Sequence, residues 1–154
     1  MSTQRRLDRA YREARVIPFD DRSRFILFSD CHRGDNSFAD DFANNRNIYF
    51  HALKHYYREG YTYLELGDGD ELWENLSFEA IFEAHKNVYQ LLRQFHLEQR
   101  LYQIWGNHDM VYKDPRYVEA HLSSYFEPIE GKEKELFEGF RFEEGLVLKH
   151  EQTG

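Results

Sequence analysis

The sequence predicts an α/β fold with a β-α-β-α-β core of parallel strands. Three short apolar segments, at residues 24–30, 61–68 and 100–109, have the length and composition of buried strands. The intervals between them contain two segments, 38–60 and 77–96, whose apolar residues recur at helical spacing. Because parallel neighbouring strands need crossovers of this length, the order predicts a parallel sheet with helices packed on it.

The elements before the second strand follow from local composition. Residues 1–23 are expected to form an N-terminal arm, and its polar first part predicts a helix or a frayed extension. The strand at 24–30, RFILFSD, ends on a carboxylate. The helix at 38–60 ends at Gly60, a residue that suits a helix terminus.

The second and third strands follow the same rule, and the pattern weakens after them. The strand YTYLELGD also ends on a carboxylate, and Ser77 can cap the helix that follows at 77–96. The third strand is RLYQIWGNHD. Beyond it we expect a helix at 114–126 with Pro115 near its start, and a hairpin or two short strands at 140–154.

Length and composition indicate one domain that does not act by binding polyanions. The chain has 154 residues, of which 41% are hydrophobic, enough for a hydrophobic core. The net charge of −8 argues against nucleic acid as a partner, because non-specific binding requires Lys and Arg to neutralise phosphates. The single cysteine excludes a disulfide within the chain. We expect no transmembrane segment and a cytoplasmic protein, because no long apolar run or signal peptide is recognisable.

Polar clusters follow all three predicted strands. Asp30 and His32 end the first strand, Asp68 ends the second, and Asn107 and His108 follow the third. Successive clusters are separated by 38 and 39 residues, which is one crossover each. Because ligands bind at the carboxyl ends of parallel strands, we expect these side chains to meet at one edge of the sheet.

These residue types suit a divalent metal centre. Carboxylates, imidazole and an amide oxygen are ligands of moderate hardness, which suit Mn²⁺, Fe²⁺ or Zn²⁺. A carboxylate can bridge two such cations, and two cations about 3.5–4 Å apart would hold a phosphoryl group and activate a water molecule. Gly67 and Gly106 precede Asp68 and Asn107, where they let the backbone turn sharply and approach a ligand.

Each cluster also has a simpler explanation when it is taken alone. Asp-x-His recurs by chance or as a helix cap, and GNHD can be a turn with a solvated histidine. The DGD at 68–70 can be a turn, or the metal-binding DxD of a sugar-nucleotide transferase in which Asp70 is a direct ligand. Three clusters at matching positions favour the metal centre over three separate coincidences.

Together the clusters resemble the first three motifs of the calcineurin-like metallophosphoesterases. The matching residues are Asp30-x-His32, Gly67-Asp68-x-x-Glu71 and Gly106-Asn107-His108-Asp109. The resemblance covers roughly residues 24–110, and the segment GDGDELW is similar to the branch that includes UDP-diacylglucosamine pyrophosphohydrolases. It implies a four-layer α/β/β/α sandwich, of which this chain would be the N-terminal part.

The resemblance also implies a role for each matching residue at a dinuclear metal site. Asp30 and His32 would hold the first metal, Asp68 would bridge both metals, and Asn107 would hold the second. His108 would contact phosphate or protonate the leaving group. The implied cofactors are two divalent metal ions.

Further residues have expected supporting roles. Glu71 and Asp109 would orient the ligands from behind. Arg33 could reach a substrate phosphate, or it could be solvated or paired with Asp35. The family's late motifs, a lone histidine and Gly-His-x-His, have no match, and His150 is the only late histidine. We therefore expect a single domain that is incomplete at its C-terminus, so that the chain alone is weakly active or inactive.

The leading hypothesis is a metallophosphoesterase that hydrolyses a phosphoester or a pyrophosphate with a metal-bound hydroxide, assisted by His108. One alternative is a non-catalytic module that binds a metal or a phosphate, and another is a DxD-type transferase. The expected partner is a phosphorylated small molecule or lipid precursor. The substrate, the metal and the oligomeric state stay open.

Overall fold

The protein has a mixed α/β fold with parallel strands, as the sequence predicts. A computed structural model describes residues 3–38, 40–74 and 77–153. Over these residues the helices α1 to α5 are Thr3–Glu13, Arg46–Arg58, Phe78–Ala84, Lys86–Leu97 and Pro115–Leu122, and a 3-10 helix spans Met110–Lys113. The strands β1 to β7 are Arg15–Phe19, Phe25–Phe28, Thr62–Leu66, Leu101–Ile104, Ser124–Glu127, Lys132–Glu135 and Leu146–His150. No helix in this described part is long and apolar enough to span a membrane.

The central sheet contains β2, β3 and β4 in that order, and all three strands are parallel. The parallel α/β core that the sequence predicts is thereby confirmed. Two smaller pairs accompany it, β1 with β7 in parallel and β5 with β6 antiparallel. The four-layer sandwich is a finer description, and it stays a prediction.

Helices α2 and α4 pack against the face of the central sheet that carries Tyr63. This side chain is fully buried in β3. Its hydroxyl lies 2.6 Å from that of Tyr49 in α2, and its ring lies 5.8 Å from that of Phe95 in α4. Alternate residues point to the opposite face, where Leu27 and Leu66 are 50% and 41% exposed. The helices therefore fix the central strand from one side.

The N-terminal segment contains a strand that the sequence analysis did not identify. β1 lies inside the span expected as an N-terminal arm and pairs with β7, Arg15 opposite Leu146 and Phe19 opposite His150. The predicted hairpin at 140–154 is wrong, because the partner of β7 is β1 and not a neighbouring segment. The two strands lie at opposite ends of the chain, and local patterns carry no information about such a pairing.

The helix predicted at 77–96 is two helices, α3 and α4, which meet at His85. The His85 side chain is fully buried, and its Nε2 lies 2.9 Å from Asp40 Oδ2. Burial lowers the pKa of His85, although Asp40 opposes this effect. The residue at which the two helices meet thus pairs with a carboxylate that is distant in sequence. The spacing of apolar residues cannot predict such a contact. The β5–β6 hairpin was also missed, because its second strand, KEKE, has no apolar residue.

A buried arginine links the loop after β2 to β3 and to the loop after β3. The Arg33 side chain is 1% exposed. Its guanidinium donates to both carboxylate oxygens of Glu65 and to Asp70, all at 2.7 Å. We call Arg33, Glu65 and Asp70 the arginine cluster. Because such bidentate pairing is geometrically specific, the cluster anchors the loop that carries Asp30 and His32 on the central strand.

The carboxylates of the arginine cluster have further hydrogen-bond donors. Glu65 accepts from the Tyr63 hydroxyl at 2.6 Å. Asp70 accepts from the hydroxyls of Tyr89, in α4, and of Tyr112, in the 3-10 helix. Buried charges need such partners, because water is not there to solvate them. The cluster therefore also ties the core helices to the strand ends.

Replacing Arg33 with methionine is expected to lower the free energy of unfolding by about 3–5 kcal/mol, because Glu65 and Asp70 would remain as buried charges without a cation. Chemical denaturation followed by circular dichroism measures the change. The matched control is Arg116→Met, since Arg116 pairs with Asp114 at the surface and its side chain is 89% exposed. That substitution should change the free energy by less than about 1 kcal/mol. Equal effects of the two substitutions would contradict the structural role given to the cluster.

Candidate metal centre

The loops that follow β2 and β3 stay paired beyond the ends of the strands. The backbone N–H groups of Asp30, His32 and Arg33 donate to the carbonyl oxygens of Gly67, Asp68 and Gly69, at 3.2, 2.9 and 2.9 Å. The Glu71 N–H returns a hydrogen bond of 2.9 Å to the Arg33 carbonyl. This pairing holds the residues after the first strand beside those after the second.

The loop after β4 is tied to the same place by two carboxylates. The His108 N–H donates to Asp68 Oδ1 at 2.8 Å. The Asp109 carboxylate is buried and accepts from the N–H groups of Gly69, at 2.8 Å, and Gly106. Burial raises the pKa of Asp109 to about 6, against the opposing effect of the Gly106 N–H. Asp109 therefore joins the backbone of the loop after β3 to that of the loop after β4.

Three of the expected metal ligands meet at this edge of the sheet. Asp30, His32 and Asp68 offer ligand atoms that all lie within 4.8 Å of one another. His32 Nε2 lies 3.9 Å from Asp30 Oδ1, and the Asp30 side chain is 67% exposed. The group therefore opens to solvent, where a cation and a substrate can enter.

The same three residues have an unusual backbone conformation. Asp30, His32 and Asp68 have φ values of 54°, 49° and 52°. Five non-glycine residues in the described part of the chain have positive φ, and these are three of them. A residue other than glycine in this region costs about 1–3 kcal/mol, and such residues cluster at binding and active sites. The backbone conformation thus points to a binding or active site at these positions, independently of their side chains.

Glu71 fixes the orientation of two histidines. Its Oε2 lies 3.0 Å from His32 Nδ1 and 2.6 Å from His108 Nδ1. Burial opposes the charged form of Glu71, yet the hydrogen bonds from His32 and His108 outweigh it and lower the pKa of this carboxyl. A carboxylate only accepts hydrogen bonds, so each Nδ1 carries a hydrogen and each Nε2 is turned away from Glu71. This is the arrangement in which a histidine binds a metal through Nε2.

A second group of possible ligands shares one histidine with the first. His32, Glu71 and His108 also offer atoms within 4.8 Å of one another. To bind a cation there, Glu71 would have to give up the hydrogen bonds of both histidines, and its side chain is only 11% exposed. We therefore assign the candidate centre to Asp30, His32 and Asp68, with Glu71 behind it.

Asn107 and His108 lie on the loop beside Asp68. Asn107 is exposed, and the residues on both sides of it, Gly106 and His108, contact the Asp68 carboxylate. The His108 ring lies 4.4 Å from that of His32, nearly perpendicular to it. The expected second-metal ligand and the expected proton donor are thus next to the candidate centre.

Two sequence-based expectations are wrong because the residues are buried. Arg33 cannot contact a substrate, since its guanidinium is enclosed by Glu65 and Asp70; it is neither solvated nor paired with Asp35. Asp70 is 2% exposed and saturated by Arg33 and two tyrosines, so it is not available as a metal ligand. The transferase hypothesis required that ligand and loses its support.

His150, the only late histidine, lies at the end of β7, where its Nε2 is 3.2 Å from Asp21 Oδ1.

The arginine cluster was not predicted, although the sequence contains one signal of it. Glu65 is the one charged residue of β3. A charge at a buried strand position requires a partner of opposite sign. Arg33 lies in the loop after the neighbouring strand, so the pair could have been proposed from the two positions.

Comparisons of the chain with protein families, with characterised proteins and with solved structures found no match. The assignment of the candidate metal centre therefore rests on the chemistry of its own residues. Two carboxylates and an imidazole with a free Nε2 fit a divalent cation of the Mn²⁺, Fe²⁺ or Zn²⁺ type. The orientation of His32 by Glu71 supports the same fit, because metal-binding histidines commonly donate their other N–H to a carboxylate.

The close approach of the third loop depends on Gly106. A Cβ atom there would lie 2.2 Å from Asp68 Oδ1, so Gly106→Ala must displace either the loop or the carboxylate. We expect it to lower the free energy of unfolding by about 1–3 kcal/mol and to weaken Mn²⁺ binding. Gly145→Ala is the control, since its Cβ would meet ordinary contacts at 3.5 Å and should change stability by less than about 0.5 kcal/mol. Denaturation and calorimetric titration measure both; unchanged Mn²⁺ affinity in Gly106→Ala would argue against this geometry.

Proposed function

We propose that the protein is a metal-dependent phosphoester or pyrophosphate hydrolase of the calcineurin-like metallophosphoesterase type. The observation that carries the proposal is the convergence of Asp30, His32 and Asp68 within 4.8 Å, on loops after adjacent parallel strands. The three motifs of the sequence and the Glu71 contact to both histidines support it. The four-layer sandwich belongs to the same proposal.

The residues have distinct roles in this proposal. Asp30 and His32 would hold one cation, Asp68 would contribute to both sites, and Asn107 would hold a second cation. Divalent cations at such a site polarise a phosphoryl group and lower the pKa of bound water. Because an amide oxygen carries no charge, we expect the site at Asn107 to be the weaker one.

The charges of the site favour a reaction that depends on a cation. Asp30, Asp68 and Glu71 contribute carboxylates, while Arg33, the nearest cation in sequence, is buried and paired. A phosphate group would be repelled by this surface unless cations neutralise it. The acidic site thus supports a metal-dependent hydrolase rather than a phosphatase that binds its substrate through arginine.

His108 is suited to move a proton at Nε2. Its Nδ1 donates to Glu71 Oε2, which orients the ring, and 25% of its side chain is exposed. A positioned general acid contributes about 10²–10⁴-fold to a rate. In the proposed reaction His108 gives its Nε2 proton to the leaving-group oxygen. The substrate is proposed to be a phosphorylated small molecule or lipid precursor.

Asp68→Asn is expected to abolish both Mn²⁺ binding and any Mn²⁺-dependent hydrolysis, because it removes the shared charge and keeps an acceptor for the His108 N–H. Calorimetric titration and a panel of phosphomonoesters, phosphodiesters and pyrophosphates measure the two. The control is Asp8→Asn, which changes an exposed aspartate of α1. Binding of Mn²⁺ without turnover of any substrate would favour the non-catalytic module. Equal Mn²⁺ binding by Asp68→Asn and the parent chain would refute the proposed centre.

Glu71→Gln is expected to weaken Mn²⁺ binding about 10–100-fold while the fold is retained. The amide has similar size but holds the histidines less firmly and no longer favours hydrogen on both Nδ1 atoms. Calorimetric titration measures the affinity, and circular dichroism checks the fold. If Glu71 itself bound the metal, Glu71→Gln would lose Mn²⁺ binding as completely as Asp68→Asn.

A further inference from the structure

One large aromatic side chain stands exposed beside the candidate metal centre. Trp73 is 67% exposed. The centroid of its indole lies 4.5 Å from that of the His108 imidazole, and the two planes make an angle of 41°. Single exposed hydrophobic residues are common, so exposure alone indicates no function. The contact with the proposed proton donor distinguishes this one.

Trp73 is held by the same groups that hold the histidines. Its backbone N–H donates to Glu71 Oε1 at 3.1 Å, while Glu71 Oε2 pairs with His32 and His108. The N–H of the preceding residue, Leu72, donates to the His108 carbonyl at 3.2 Å. The indole therefore offers a flat surface on a fixed backbone, next to the His108 ring that would face the leaving group.

We infer that Trp73 is a stacking platform for a nucleobase, so that the site takes nucleotide phosphoesters. This inference rests on the proposed function and names its substrate class. An exposed indole offers one broad π-face, and a planar base gains most from such a face, whereas an acyl chain needs a groove with apolar walls on several sides. A base stacked on an aromatic side chain gains roughly 5- to 100-fold in affinity.

The acidic character of the site makes such an uncharged contact useful. The carboxylates near His108 attract cations and repel the phosphates of a nucleotide, and Arg33 is enclosed in the arginine cluster. Stacking adds affinity without placing another positive charge beside the metal ligands. It also places the nucleoside, as leaving group, beside His108.

Fluorescence tests the platform without any catalytic turnover. The chain has two tryptophans, Trp73 and Trp105, so Trp105→Phe leaves Trp73 as the only one. With EDTA present, we expect adenosine, which has no phosphate for the carboxylates to repel, to quench this emission and ribose, which lacks the base, to leave it unchanged. Trp73→Phe is the matched control, because Trp105 packs against the core and should not respond.

Binding measurements give the size of the contribution. By equilibrium dialysis with Mn²⁺ present, Trp73→Ala should weaken adenosine monophosphate binding roughly 5- to 100-fold and leave ribose 5-phosphate binding unchanged. Trp73→Phe should restore most of the affinity. Equal nucleotide affinity in Trp73→Ala and the parent chain would overturn the inference, as would quenching by a short-chain acylglycerol but not by adenosine.

The failures of the two proposals can be told apart. Mn²⁺ binding that Asp68→Asn abolishes, with no quenching of Trp73 by adenosine, rejects the platform and leaves the hydrolase. Quenching of Trp73 by adenosine in a chain that binds no Mn²⁺ supports the platform and rejects the metal-dependent reaction.

Discussion

The contact of the Arg33 guanidinium with Glu65 and Asp70 is the interaction on which the rest of the site depends. Arg33 follows His32 directly, Glu65 lies in the central strand, and Asp70 lies in the loop that carries Asp68. All three strands meet there, because the Gln103 side chain of β4 also donates to Glu65 at 2.6 Å. A buried ion pair gives little net stability, but one partner without the other is strongly destabilising. The cluster therefore acts mainly by allowing only one arrangement of the two ligand-bearing loops.

This anchoring explains how the edge of the sheet tolerates unfavourable local features. Asp30, His32 and Asp68 have positive φ, and carboxylates of like charge stand close together. Both features oppose folding, and in the proposed centre a cation between the ligands would offset the repulsion between the carboxylates. Proteins commonly break local rules at functional sites and compensate for them elsewhere. Here the compensation comes from a saturated network directly behind the site.

Much of this arrangement could be predicted because its signals are local. The three strands of the central sheet have apolar runs, and the rule that ligands collect at the carboxyl ends of parallel strands puts Asp30, His32 and Asp68 together. The pairing of β1 with β7 and the break at His85 could not be predicted in the same way. Each depends on a partner distant in sequence, and the pattern around the residue is the same with or without that partner.

In the proposed centre a divalent cation would bind His32 through Nε2, together with Asp30 and Asp68, while Nδ1 stays on Glu71. This arrangement can be tested in crystals soaked in Mn²⁺ and measured at the manganese absorption edge. We expect an anomalous peak within bonding distance of His32 Nε2 and of carboxylate oxygens from Asp30 and Asp68. A peak between His32, Glu71 and His108, or no peak at this edge of the sheet, would contradict it.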